Sequence, residues 1–267
     1  MLLKEFLTKY NINDVETLYN CYIDKYNILR YNDDDLSEKE INDSKGFFYF
    51  FDDEENLINF IDYFSDESIF DQDLLNFLLS EIYLSLGNFY YGMGRGYIRK
   101  DIEKARNSYM ISSRMGNNQA TCNLGYLYLN GEGVEIDYEK AYKYFSDSAI
   151  SGNPNAVYKL GDFYKEGIYV KKSEEEAFRK YMMASEMLDK ENPNYDISQD
   201  IYYKLGLCYK YGFGVENNIL QALNYFLKAL SFAYFSLISG NSYSKVIIDN
   251  VEREMKEITD KIKEDFY

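Results

Sequence analysis

An all-α fold of stacked helix–turn–helix pairs is what this sequence predicts, on three observations. A Leu-Gly pair recurs at 86–87, 124–125, 160–161 and 205–206, at spacings of 38, 36 and 45 residues. In the last three copies an alanine follows the glycine after 16 residues each time. Composition is that of a folding chain, with 46% hydrophobic and 28% charged residues but only 2 prolines and 16 glycines. A fixed period of this length marks a repeat array, whose helix pairs bury their faces only by stacking on one another.

The chain opens with an acidic segment, residues 1–73. Leu18, Cys21, Tyr22 and Leu29 have a helical rhythm, and Asp33 to Glu40 form a charged break. The run GFFYFF at 46–51 reads either as a buried strand or as the inward part of a helix, which periodicity does not separate. A single strand lacks a partner, so an all-helical N-terminal module is expected. Residues 52–64 predict a helix with acids in its first turn and Leu57, Ile58, Phe60, Ile61 and Phe64 inward.

Residues 74–240 hold the repeats: LGNFYYGMGRGYIRKDIEKA (86–105), LGYLYLNGEGVEIDYEKA (124–141), LGDFYKEGIYVKKSEEEA (160–177) and LGLCYKYGFGVENNILQA (205–222). Each begins with a helix that tolerates a central glycine (Gly87, Gly125, Gly161, Gly206) at about 1 kcal/mol relative to alanine, which implies close approach of the partner helix's backbone. The leucines and Tyr90, Tyr128, Tyr164 and Tyr209 complete an inward stripe. Glycines then reverse the chain, and copy three, which keeps only Gly167, predicts a different turn. The second helices start at the N-cap residues Asp101, Asp137, Ser173 and Asn218, with Glu176 and Gln221 placed for capping boxes. Ala105, Ala141, Ala177 and Ala222 let helices approach, and Tyr109, Phe145, Tyr181 and Phe226 fill the layer between them. Asn153-Pro154 starts the first helix of copy three as cap and first helical residue. Residues 241–267 carry Ile247, Val251, Met255, Ile258 and Ile262 on one helical face, as a C-terminal capping helix does.

The pattern of residues 124–145, LGYLYLNGEGVEIDYEKAYKYF, resembles the Sel-1-like repeat, a relative of the tetratricopeptide repeat with a longer turn between its helices. The resemblance covers about residues 74–240. It implies a right-handed superhelical solenoid of four repeats, between the N-terminal module and the capping helix, in which first helices line a concave groove for another protein. Carried over by repeat position, the groove residues are Glu81, Asn88 and Tyr91 in copy one and Gln119, Tyr126 and Asn130 in copy two. Copy three supplies Asn155, Tyr158, Asp162 and Lys165, and copy four Asp200, Tyr203, Lys210 and Tyr211.

Chemistry is scarce. With no histidine the chain lacks the commonest general base and zinc ligand. Cys21, Cys122 and Cys208 form neither a zinc signature nor a disulfide framework, and read as buried reduced thiols. Asp33-Asp34-Asp35 lacks the glycine turn of a calcium loop, and Gly92, Gly94 and Gly96 follow a helix, not the strand of a phosphate loop. Glu174 to Glu176 sit in a helix's first turn, where the helix dipole accounts for them. The expectation is a non-enzymatic adaptor without catalytic residues, metal or cofactor. Lacking a signal sequence or an eighteen-residue apolar stretch, it is expected to be soluble and cytoplasmic.

The net charge of −16 is uneven: residues 1–73 hold 6 basic and 19 acidic residues, the remainder 23 and 26. Acidity disfavours nucleic acid, and favours a basic protein partner or simple solubility. The resemblance to Sel-1-like repeats also implies an alternative, a bacterial immunity protein that occludes a toxin, with the acidic N-terminal module as a mimic of the toxin's anionic substrate.

Overall fold

The computed structural model describes residues 1–30, 37–65, 72–92, 100–188 and 195–266. Among them the secondary structure is thirteen α-helices and no strand. They divide into two compact units, Met1–Asp137 and Tyr138–Tyr267, with the boundary inside the second repeat.

The first unit begins with α1 (Leu3–Tyr10), α2 (Val15–Arg30), α3 (Glu38–Phe51) and α4 (Glu54–Ser65), continues with the first repeat, α5 (Gln72–Tyr91) and α6 (Ile102–Arg114), and ends after α7 (Asn118–Asn130). GFFYFF is the end of α3, so the strand reading falls. On a helix Phe47, Phe48, Phe50 and Phe51 cover one broad face, all buried, and Tyr49 is left exposed. Both flanks of that face are occupied by aromatics. Phe6 of α1 stacks on Phe50 with ring centroids 3.8 Å apart, and Phe60 of α4 lies edge-on to Phe51 at 5.2 Å. On the other flank Phe48 meets Phe89 of α5 at 5.0 Å and Tyr22 of α2 at 6.2 Å. Such pairs add about 0.5–1.5 kcal/mol each to simple burial.

Two expectations for this region change. Ile58 is exposed: it lies two residues from Phe60, roughly 200° around the helix, and cannot share its inward face. Cys21 is half-buried, unlike the buried Cys122 and Cys208, and all three are free thiols. Leu29, Leu57 and Phe64 lie outside the described side chains, and Asp33, Asp34, Asp35, Gly94 and Gly96 outside the described residues.

The N-terminal helices are fastened to the first repeat by polar contacts. The Tyr83 hydroxyl donates to the Phe51 carbonyl (2.9 Å), one of the acceptors that a helix end leaves open. Tyr90 Oη and Lys104 Nζ both donate to Asp52 Oδ2, at 2.5 and 2.6 Å.

The second unit contains α8 (Tyr138–Ile150), the third repeat α9 (Pro154–Glu166) and α10 (Glu174–Glu186), the fourth repeat α11 (Tyr195–Tyr211) and α12 (Ile219–Ile238), and α13 (Ser244–Phe266). All four repeats close their turns with one bond. The N–H of the cap residue donates to the carbonyl of the tyrosine four places after the repeat leucine: Asp101 to Tyr90, Asp137 to Tyr128, Ser173 to Tyr164 and Asn218 to Tyr209, at 2.9–3.0 Å. Copy one makes this bond in spite of its two extra residues.

Copy three also keeps this turn, where its missing glycine predicts a different one. Tyr169 takes the left-handed conformation (φ 60°) that Gly133 and Gly214 take in copies two and four. At Gly214 a side chain would run into the backbone of Glu174, the first residue of α10, so glycine is required there on two counts. Tyr169 instead turns its ring onto Tyr142 of α8, centroids 5.5 Å apart.

Gly87, Gly161 and Gly206, within the first helices, have a different cause from the expected backbone approach. A Cβ on Gly87 would lie 2.5 Å from the ring of Tyr109, and one on Gly161 2.6 Å from the ring of Tyr181; Gly206 is covered in the same way by Phe226. The glycine is the seat of the next helix's aromatic ring. Cap predictions hold at Asp101, Ser173 and Asn218, whose side chains accept from Lys104, Glu176 and Gln221 N–H, and at Asn153, which accepts from Asn155 and Ala156 N–H. The Ser173 box stays half-made, since the Glu176 carboxylate pairs with Arg179.

The capping helix α13 buries Ile247, Val251 and Ile258 against Ala222, Phe226, Ala229 and Ala233 of α12, with Met255 half-buried. Ile262, near its end, is exposed.

Candidate protein-interaction surface

The fourteen residues expected to line a groove all lie on the first helices α5, α7, α9 and α11, but they do not form one class. Several hold the repeats together. Two places after the repeat leucine, Asn88 Oδ1 accepts the Tyr109 hydroxyl at 2.9 Å, and Asp162 Oδ1 accepts the Tyr181 hydroxyl at 2.7 Å. Copies two and four have phenylalanine on the second helix (Phe145, Phe226) and no such acceptor on the first, carrying Tyr126 and Leu207 at that place. An acceptor is present where a buried hydroxyl needs one, and missing where the ring has none.

The same atoms bridge to the following repeat. Asn88 Oδ1 also faces Asn123 Nδ2 at 3.4 Å, and Asp162 Oδ1 faces Lys204 Nζ at 3.1 Å. Asn123 and Lys204 both sit one place before their repeat leucine. One strut is thus built as an amide pair between copies one and two and as an ion pair between copies three and four. Lys159 adds a second cation to Asp162 at 3.1 Å. Burial works against ionising Asp162, but the charges of Lys204 and Lys159 and the Tyr181 hydroxyl outweigh it and hold the carboxyl below its ordinary value.

Glu81 accepts from Asn117 Nδ2 at 2.6 Å, and burial raises its pKa. Gln119 donates to Asn123. Tyr158 is buried, its ring 6.0 Å from that of Tyr181 and covered by Lys159 Nζ at 4.4 Å. At the end of α11, Lys210 Nζ donates to Glu254 and Glu257 of the capping helix, both at 2.6 Å, and Tyr211 Oη to Glu254 at 2.8 Å. Lys210 and Glu254 retain 9% and 8% side-chain exposure, so this is an almost desolvated ion pair. Lys210 and Tyr211 therefore serve as the fastening of α13.

The sequence matches the Sel1 repeat at residues 80–107, 118–153, 154–179 and 201–231. The chain belongs to the Sel1 repeat family. A crystallised Sel1 repeat protein from Oxalobacter formigenes is similar in fold, with TM-score 0.52 and 23% identity over 79% of this chain and 73% of that one. The protective antigen c5321 of uropathogenic Escherichia coli, displaying an SLR fold, aligns over 94% of this chain and 59% of its own, with TM-score 0.48 and 16% identity. The immunity protein Pa5087 of Pseudomonas aeruginosa aligns over 68% of each chain, with TM-score 0.41 and 25% identity. No protein of curated function is detectably similar along its sequence.

On these Sel1 repeats seven of the expected residues remain. Tyr91, Tyr126, Asn155, Lys165, Asp200 and Tyr203 are half-buried, and Asn130 is exposed. Asn155, Asp162 and Lys165 follow at i, i+7 and i+10 and share one face of α9; Asp200, Tyr203 and Lys210, at i, i+3 and i+10, share one face of α11. Tyr91 lies near Glu132, and burial together with that carboxylate pushes its hydroxyl up to about 12. Sequence reasoning missed Lys204, Asn123 and Glu254. The signal for the first two was available, because both occupy one repeat position. Glu254 had none, since it answers to a lysine 44 residues away.

No group of His, Cys, Asp and Glu among the described residues is arranged to hold a metal ion. No described helix is long and apolar enough to cross a membrane. Glu174 to Glu176 stand in the first turn of α10, as expected.

Proposed function

We propose that the chain is a non-enzymatic protein-interaction module that receives a segment of another protein on the face of its first helices. Sel1 repeats commonly serve as protein-interaction scaffolds. The observation that carries the reading is the face made by Asn155 and Lys165 of α9 with Asp200 and Tyr203 of α11, polar and aromatic side chains on helices held in register by the Asp162–Lys204 strut. Tyrosine and charged groups on a rigid frame suit recognition, because large contact area then comes at small entropic cost. Free thiols at Cys21, Cys122 and Cys208 fit a reducing compartment, and we assign the chain to the cytoplasm.

The test is capture from native lysate with the full chain as bait, comparing the parent with Tyr203→Ala and Asp200→Ala. Retention of a specific protein should fall at least about tenfold in one variant. Undiminished capture by both removes the first-helix face from the reading.

Charge favours a second reading. With 19 acids against 6 bases, residues 1–73 could imitate the anionic substrate of a basic toxin that the chain neutralises. Converting the exposed Asp53, Glu55 and Asp62 to amides in the full chain should then weaken partner binding at low salt and leave binding at high salt unchanged. Equal binding at low salt refutes the mimicry.

A further inference from the structure

The fourth repeat's second helix differs from its three counterparts on the side turned to solvent. Two places before the repeat alanine, α6, α8 and α10 carry Glu103, Glu139 and Glu175; α12 carries Leu220, which is 80% exposed. Those three helices have 13 residues each and α12 has 20. The two added turns bring Tyr234, Phe235 and Ile238, exposed to 44%, 52% and 82%, into line with Leu220 and with Leu227 at 54%. Leu220, Leu227 and Tyr234 follow at intervals of seven, the spacing of a seam between two helices. In a chain of net charge −16, α12 contains no acid. Its one charged residue, Lys228, holds its ammonium over the rings of Tyr202 and Tyr225, at 5.5 and 5.2 Å.

We infer that this face of α12 is the interface of a homodimer, formed by antiparallel packing on the α12 of a second copy. Self-pairing is favoured by register. About a two-fold axis at the level of residue 229, Leu220 meets the partner's Ile238, Asn224 meets the partner's Tyr234, and Leu227 faces the partner's Ser231. Leu220 and Ile238 thus meet as two apolar side chains, and Tyr234 and Leu227 oppose the shorter Asn224 and Ser231. Charge permits the same occupant: most of the acid lies in residues 1–73, residues 74–267 hold 23 basic and 26 acidic residues, and α12 itself contains no acid, with Glu252 of α13 at 3.4 Å from the Tyr234 hydroxyl. Area is sufficient. With large side chains of roughly 150–250 Å² each, the exposed parts amount to roughly 600 Å² per copy, about 1,200 Å² for the pair, the lower end of specific interfaces.

The experiment is sedimentation velocity of the full chain across protein and salt concentration. The expected result is a mass twice 31.6 kDa, with association tightening as salt screens the repulsion between copies. Leu220→Glu restores the glutamate of the other three repeats, and Leu227→Glu places a charge at the centre of the seam. Both should return the chain to 31.6 kDa with unchanged circular dichroism. Ile150→Glu, on an exposed apolar residue of α8, should leave the dimer intact. A parent chain that stays monomeric at about 100 μM in high salt overturns the inference. So does a dimer that survives both glutamate substitutions.

Discussion

Gly161 is a single hydrogen in contact with the ring of Tyr181, and the fit leaves no room for a methyl group. Gly161→Ala should cost about 1–3 kcal/mol through displacement of that ring, where propensity alone would have favoured alanine. Urea unfolding measures it, and an unchanged or raised midpoint would contradict the ring contact. Tyr169 presents the opposite case, a side chain in a conformation suited to glycine; Tyr169→Gly should raise stability by up to about 1 kcal/mol in the same assay. Asp162 ties the Tyr181 hydroxyl to Lys159 and Lys204. Its folded pKa lies below the unfolded value of 3.8, so its contribution is complete above that value and lost as pH falls through the folded one. Asp162→Asn should cost about 1–3 kcal/mol at neutral pH and flatten the acid limb of stability against pH. A variant with the parent's acid limb would show that another carboxylate governs it.

Among the elements, α13 depends on a fastening that its own sequence does not display. Its apolar face supplies burial, but Lys210 and Tyr211 of α11 fix it through Glu254 and Glu257. Lys210→Met leaves the almost buried Glu254 with the more distant Arg253, 3.8 Å away, as its cation, which should cost about 3 kcal/mol or less. Amide exchange should then speed up across α13 before it does in α9 and α10. Uniform acceleration would mean that the ion pair stabilises the unit as a whole and not this helix.

For the whole molecule, alkaline pH is the revealing variable. Burial raises the thiols of Cys21 and Cys208 to about 11 and about 12, and the Tyr142 hydroxyl to about 12, from ordinary values of 9.0 and 10.0. Groups that keep their protons when folded and release them when unfolded favour the unfolded chain as pH rises. Stability should decline from about pH 9 upward, before tyrosinate absorbance appears in the native state. A flat profile to pH 11 would contradict the burial of these groups.

The repeat period, the helix starts and the inward aromatic positions were all readable from residue order, because they are local: a cap answers to an N–H two or three residues away, and a helical face to a spacing of three or four. The same was true of the α13 apolar stripe. What order alone did not disclose were partnerships over longer stretches of chain. Asn88, Asp162 and Lys210 read as groove positions, yet they serve a tyrosine hydroxyl, a strut between repeats and a capping helix. GFFYFF became a helix once Phe6, Phe60, Tyr22 and Phe89 covered both flanks of its face. Local propensity and periodicity determine which residues form helices and which sides are apolar. Only tertiary structure decides which polar side chains face a partner within the chain and which are left for another molecule, because that depends on atoms brought together from distant positions.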